Sequence, residues 1–382
     1  MRDQAGRLGH VGAQVDREVH SLTRSTAARY IAPSMGNDNV IREQLEDAAR
    51  RGARPQKAQA ALAQVPRLFE ELGALEGELT RATADAEATL QAAARHLVAA
   101  GGKRIRPTVT LLSCGACGGE MAAAIPFGVS AELTHSATLL HDDVIDDGPI
   151  RRGLPASRVI WGNTVSVLAG DWLLTRSLEI TAGHPAADRA LPALLATMRR
   201  LVEGEVKQLS LRGGFRATER DYFQVIEGKT ASLFGWACAA GGWAAGQVGA
   251  IPEALARFGE GIGTAFQLVD DALDYAADPE KLGKRLGADL VEGKATLPLI
   301  RALVAEPDLR ARLAPIADGA DPTDEVCLEV IAAVRRSGGV EAARALAREH
   351  TRRALAALET VPDGAHRRAL NEAAVSLTER AF

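Results

Sequence analysis

Cysteine is scarce: Cys114, Cys117, Cys238 and Cys327 are all there is in 382 residues. With no recognisable secretory leader, this leads us to expect a reducing cytoplasm. Cys114-Gly-Ala-Cys117 has redox or zinc spacing, but no second pair exists and no strand precedes it, so we read it as small helix-packing residues. No apolar run approaches the ~20 residues needed to cross a bilayer. An excess of one charge is also missing: 45 Lys and Arg against 49 Asp and Glu leave a net charge of −4, which gives no electrostatic case for nucleic acid or an anionic membrane surface. There is hardly any alternating strand pattern, no Gly-x-Gly-x-x-Gly after a strand and no Gly-Lys-Ser/Thr phosphate loop.

Helical periodicity is present instead. From Leu79 onward it predicts helices over 107–116, 122–143, 163–182, 191–211, 221–240, 253–275, 297–305, 324–336, 340–358 and 366–381, after an alanine-rich helix over 76–99 that stops at Gly101-Gly102. Connectors carry Gly, Pro or Asp. With 47% hydrophobic residues, the chain can bury one large core, and we expect an all-α single bundle. Residues 1–70 read differently. Scattered arginines, acidic Asp3, Asp16 and Glu18, and Pro33, Pro55 and Pro66 suggest an extension with helix over 40–51 and 56–79 and no chemistry of its own. Met35 is an alternative start. The catalytic unit is expected over 71–382.

The chain is organised around Leu140-His141-Asp142-Asp143-Val144-Ile145-Asp146-Asp147. On a helix, Asp142 and Asp146 are neighbours at i and i+4, a like-charge pair that asks for a positive partner. Phe266-Gln267-Leu268-Val269-Asp270-Asp271-Ala272-Leu273-Asp274 repeats the pattern. Both lie in apolar helical runs, so they look like two walls of one site. Hard carboxylate ligands suit Mg²⁺, which keeps waters and substrate phosphates in its shell. The pair thus suggests a diphosphate bridged to the protein by metal.

Basic residues fall where that anion needs them. Gly101-Gly102-Lys103-Arg104-Ile105-Arg106-Pro107 sets Lys103 and Arg106 at the start of a helix, and Arg151-Arg152-Gly153 follows a Gly148-Pro149 bend from which it can fold back on the first acidic cluster.

From about Gln91 to its end, the chain resembles the trans-prenyltransferases, or polyprenyl diphosphate synthases. The resemblance is carried in order by Gly101-Gly-Lys-Arg-Ile-Arg106-Pro, His135 seven residues before Asp142, the first aspartate motif running into Arg151-Arg152-Gly153, Trp161-Gly162-Asn163 with Ala169-Gly170-Asp171, Gly228-Lys229-Thr230, Phe266-Gln267-x-x-Asp270-Asp271-x-x-Asp274, and the run from Gly283-Lys284 to Thr296-Leu297-Pro298. The resemblance implies an all-α isoprenoid synthase fold around a central cavity. It also implies Mg²⁺-dependent head-to-tail condensation of isopentenyl diphosphate with an allylic diphosphate, giving a longer all-trans prenyl diphosphate and pyrophosphate. By the same carry-over, Asp142, Asp146 and Asp270 look like the principal Mg²⁺ ligands, with Asp143, Asp271 and Asp274 holding metal-bound water or supporting geometry. Lys103, Arg106, His135 and Arg152 resemble the isopentenyl diphosphate cradle, and Arg151, Lys229 and Lys284 the allylic diphosphate contacts. Thr230, Gln267 and the Lys229 carbonyl resemble neutral dipoles that face the carbocation. Gly148-Pro149 and Leu154 depart from the usual pattern without removing a ligand.

In this family the residues four and five before the first aspartate face the growing tail. Here they are Thr138 and Ala137, with Thr134, Ala131 and Ser130 continuing a small-residue path. This predicts a medium- or long-chain product of the quinone side-chain class. The alternative is that small residues only allow close helix packing, which leaves a geranylgeranyl- or farnesyl-type product. A terpene cyclase and a noncatalytic subunit of a heteromeric synthase are the rival functions. The first is opposed by Lys103, Arg106 and the second aspartate motif, and the second by both motifs being intact. The family forms homodimers, so one is expected here.

Overall fold

The computed structural model of the chain describes residues 55–276, 287–320 and 322–378. Its elements are α1 (Pro55–Ala63), α2 (Leu68–Ala82), α3 (Ala88–Ala99), α4 (Ile105–Ala116), α5 (Met121–Ile145), the strands β1 (Ile150–Arg151) and β2 (Leu154–Pro155), α6 (Ser157–Ala182), α7 (Ala187–Leu211) and α8 (Glu219–Ile226). A π-helical turn, Glu227–Ala231, joins α8 to α9 (Ser232–Ala244). There follow α10 (Ala250–Ala276), α11 (Ala288–Val291), α12 (Leu297–Ala305), α13 (Leu309–Ala317), α14 (Asp324–Arg336), α15 (Gly339–Ala357) and α16 (Ala365–Thr378).

A helix that is apolar on every side has to be surrounded by protein, and α5 is such a helix. Its buried residues, among them Phe127, Gly128, Ser130, Glu132 and Leu133, are spread around its whole circumference. α2, α4, α6 and α9 pack around it. α10 is the wall shared by two hydrophobic clusters: Phe258 and Ile262 join the cluster around α5, whereas Leu268, Val269, Ala272 and Tyr275 join a second one with α12, α14 and α15. Glycines permit the closest crossings. A Cβ on Gly241 of α9 would lie 2.2 Å from the Thr110 carbonyl oxygen of α4, and one on Gly204 of α7 would lie 2.8 Å from the Lys229 nitrogen.

The expected all-α bundle is borne out, and most helices fall where the periodicity puts them. The 76–99 helix is a correction: it breaks at 83–87 into α2 and α3. The Glu87 carboxylate caps α3 by accepting from the amides of Thr89 and Leu90, and in an alanine-rich run a glutamate N-cap leaves little trace in the pattern. Two short elements, α11 and α13, were not anticipated, and neither was the β1–β2 hairpin. Its two-residue turn, Arg152-Gly153, has positive φ at both positions (53° and 78°), the geometry that matches strand twist. α6 is kinked at Gly162 (φ 82°), one residue before the expected helix start. α1 packs on α16 and α2 on α5, so the bundle already includes Pro55 onward. The helix expected over 40–51 lies outside the described residues. Cys114 and Cys117 are free thiols at the end of α4, Cys114 buried with its thiol donating to the Glu120 carbonyl (3.2 Å), as packing residues should be.

Candidate active site

The last turn of α5 carries the first acidic wall. Asp142 lies 3.5 Å from the Lys229 ammonium, which also pairs with Glu205 of α7. Burial raises the Asp142 pKa; Lys229 opposes the shift, and Glu205 and Asp146 add to it. Asp146, at the helix C-cap, accepts from the Arg212 guanidinium (2.8 Å) and lies 3.5 Å from the Lys294 ammonium. Asp143 is buried, with one oxygen held by Arg151 at 2.8 and 2.5 Å. Its other oxygen is buried without a partner.

The end of α10 carries the second wall. Asp270 is exposed. Asp271 is buried, accepting from the Tyr222 hydroxyl (2.6 Å) and the Gln267 amide (2.8 Å). Burial pushes its pKa up to about 7, with the two hydrogen bonds opposing the shift and Asp270 and Asp274 adding to it. Asp274 spends both oxygens on the amides of Ala288 (3.2 Å) and Asp289 (3.1 Å) and so docks α11. Between the walls, Thr230 donates to the Gln267 carbonyl oxygen (3.1 Å).

An open cleft of about 740 Å³, mouth included, is lined by Asp271, Gln267 and Thr230 together with the cations Arg212, Lys229 and Lys294 that reach the first wall. Among the described residues, no three His, Cys, Asp or Glu side chains converge as a closed metal cage. Carboxylates supplied one or two per wall, one with an unpartnered buried oxygen, fit a magnesium ion that retains waters and phosphate oxygens in its shell.

The second basic group reaches the first wall through Arg151. The β1–β2 turn sends Arg151 to Asp143 and Arg152 to the Gly101 carbonyl and, at 3.3 Å, the Leu97 carbonyl. Arg106 stacks over Phe234, 4.5 Å from the ring centroid, and burial lowers its pKa to about 10. Burial and Arg106 hold the His135 pKa well below its ordinary value. Burial would raise the Glu132 pKa, but Arg104, His135, Arg152 and Arg106 together pull it down to about 2, with Arg104 in direct contact at 2.7 Å. Lys103 begins the same segment. Lys284 lies outside the described residues.

The family model for polyprenyl synthetase matches residues 87–334. The chain belongs to this family. A nonaprenyl diphosphate synthase of Rhodobacter capsulatus is 39% identical over 300 residues, 77% of this chain and 89% of its own length. A short chain isoprenyl diphosphate synthase of Methanothermobacter thermautotrophicus is 37% identical over 297 residues, 76% of this chain and 90% of its own. The polyprenyl synthase of Caulobacter crescentus, solved with calcium and isoprenyl diphosphate, superposes with a TM-score of 0.76 at 36% identity, over 82% of this chain and 98% of its own. The isoprenoid synthase fold is therefore this protein's fold.

Within this polyprenyl synthetase framework the structure adds residues that the sequence reading did not single out. Arg104 is buried, donating to Glu132 (2.7 Å), Glu76 and the Val98 carbonyl (3.0 Å), and so ties α4 to α2, α3 and α5. Glu132 had a signal: a lone acid inside an apolar helix needs a buried cation. Glu205, Arg212, Tyr222, Asp289 and Lys294 had weaker ones. The Ala169-Gly170-Asp171 motif has a steric reason, since a Cβ on Gly170 would lie 2.2 Å from the His141 ring nitrogen. On the small-residue face of α5, Ala131 and Ala137 are fully buried, Ser130 donates to the Ser177 carbonyl of α6 (3.1 Å), and Thr134 bonds the Ser177 hydroxyl (2.8 Å). Thr138 is half-buried.

Glu132 generates a pH prediction. Its pKa falls from 4.5 to about 2 on folding, so its contribution is fully present above pH 4.5 and is lost as pH falls towards 2. The shift corresponds to on the order of 3 kcal/mol. Urea midpoints of Glu132→Gln should be lower than wild type at pH 7 and converge on it between pH 4.5 and 2.5. Parallel curves across that window would contradict the assignment.

Proposed function

We propose that this protein condenses isopentenyl diphosphate with an allylic diphosphate to give an all-trans medium- or long-chain polyprenyl diphosphate and pyrophosphate, of the kind used for quinone side chains. The observation that carries the reading is the cleft whose lining combines Lys229 and Lys294, which reach the first aspartate wall, with Gln267 and Asp271 of the second. A nonaprenyl diphosphate synthase among the relatives supports the longer product. The Caulobacter structure, complexed with calcium and isoprenyl diphosphate, supports use of a divalent ion.

In this reading Asp142, Asp146 and Asp270 hold Mg²⁺, and Asp143, Asp271 and Asp274 fix the surrounding geometry. Bound magnesium neutralises the diphosphate and stabilises it as a leaving group. Arg151, Lys229 and Lys284 hold the allylic diphosphate, and Lys103, Arg106, His135 and Arg152 hold isopentenyl diphosphate. Cations on both sides are required because two polyanions must lie close together. His135 donates a hydrogen bond without losing a proton. Thr230, Gln267 and the Lys229 carbonyl turn dipoles rather than nucleophiles towards the allylic cation, and the departing pyrophosphate takes the final proton.

Ala137, Thr138 and Thr134 bound the growing tail. The hydrogen bonds from Ser130 and Thr134 to α6 favour a second reading, in which that path is closed and the product is of geranylgeranyl length. The short-chain relative is consistent with it.

The protein works as a cytoplasmic homodimer, with residues 1–70 as an extension that α1 and the start of α2 dock onto the catalytic unit. Among the described residues, no helix is long and apolar enough to cross a membrane. Support for a dimer comes from one exposed stripe of α7, Leu195, Val202, Val206 and Leu209, which leaves water-facing apolar surface on an otherwise polar helix.

Incubation with labelled isopentenyl diphosphate and a panel of allylic starters should give a Mg²⁺-dependent polyprenyl product, abolished by chelation and resolved by thin-layer chromatography. A dominant geranylgeranyl or farnesyl band would select the shorter product. Cyclised product without consumption of isopentenyl diphosphate would overturn the synthase reading. In sedimentation velocity, Val202→Glu with Val206→Glu should convert a dimer to monomer; a double variant that sediments like wild type would rule out this interface.

A further inference from the structure

Tyr222, Thr230, Gln267 and Asp271 all line the cleft and form one hydrogen-bonded chain. The Tyr222 hydroxyl donates to one Asp271 oxygen (2.6 Å), the Gln267 amide nitrogen donates to the other (2.8 Å), and Thr230 donates to the Gln267 amide oxygen (3.1 Å). Both Asp271 oxygens accept, and Gln267 turns its NH₂ towards one of them. The amide oxygen is thereby turned towards Thr230.

The π turn explains how Tyr222 and Thr230 come to act together. They are eight residues apart, which on a regular α-helix leaves their side chains roughly 80° apart around the axis. The turn at Glu227–Ala231 absorbs about one extra residue and brings them to within roughly 20° of each other. Gln267 and Asp271, at i and i+4 on α10, form the facing pair. The Gly204–Gly228 crossing holds this segment against α7, where a Cβ on Gly228 would lie 2.8 Å from the Arg200 carbonyl oxygen.

We infer that Tyr222 is a positioning residue: through Asp271 it fixes the orientation of the Gln267 carboxamide, so that the negative end of that dipole faces the carbocation site. The inference rests on the function proposed above and adds a residue to it. Tyr222 touches no substrate in this scheme and transfers no proton.

The test has two arms. In selectively ¹⁵N-glutamine-labelled protein without substrate, the Gln267 side-chain amide, identified by its loss in Gln267→Met, should exchange slowly with solvent in wild type. In Tyr222→Phe it should exchange at least tenfold faster. In steady-state kinetics, Tyr222→Phe should lower kcat about tenfold, with KM for isopentenyl diphosphate within twofold of wild type, and should have no further effect in a Gln267→Met background. Fast exchange in wild type, an unchanged rate in Tyr222→Phe, or effects of the two substitutions that multiply would overturn the inference. The exchange arm needs no turnover, so a wild-type protein that fails to consume isopentenyl diphosphate would sink the function proposal while leaving the orientation of Gln267 to be judged separately.

Discussion

Everything in this fold answers to one electrostatic constraint: carboxylates concentrated at the ends of two buried helices must be neutralised. The protein's own cations do much of this. Lys229 serves Asp142, Arg212 and Lys294 serve Asp146, and Arg151 serves Asp143. The arrangement is balanced but not saturated. One Asp143 oxygen has no partner, and Asp142 and Asp271 keep raised pKa values because burial and neighbouring acids outweigh Lys229 at the first and the Tyr222 and Gln267 hydrogen bonds at the second. A site built in this way gains from any further positive charge that fits between its walls.

Neighbouring elements meet that demand with backbone geometry more than with added bulk. The β1–β2 turn points two successive arginines in opposite directions, one to the aspartate wall and one to the Gly101 loop. The π turn and the Gly204–Gly228 crossing bring Lys229 and Thr230 between Glu205 and Gln267. Asp274 docks α11, after which Lys294 reaches back to Asp146. Arg104 fixes the other side, since its buried pairing with Glu132 and Glu76 anchors the segment from which Arg106 projects.

The sequence announced the helices and the two aspartate clusters because both are periodic features: apolar spacing of 3.6 residues and acids one turn apart. It also led us to expect the cations of 103–106 and 151–152 near them, and Arg151 does pair with Asp143. Features made by single residues in unusual backbone were harder to see. A glutamate N-cap hid the break at 83–87, and a two-residue hairpin is too short to alternate. The π turn inside Gly228-Lys229-Thr230 looks like ordinary helix in sequence. Partners such as Arg212 and Tyr222 sit in weakly patterned segments, and only tertiary packing brings them to Asp146 and Asp271. Thr134 and Ser130 show the same limit: small residues on a helix leave open whether they line space or close it, and here hydrogen bonds to α6 hold both.

The central claim is that both acidic walls grip one metal-bound diphosphate. Calorimetric titration of the wild-type protein, Asp142→Asn and Asp270→Asn with inorganic pyrophosphate, each with and without Mg²⁺, tests it most directly. The account expects tight binding by wild type only when Mg²⁺ is present, and at least a tenfold loss of affinity in either variant. Equal affinity with and without Mg²⁺, or a loss confined to one wall, would contradict it.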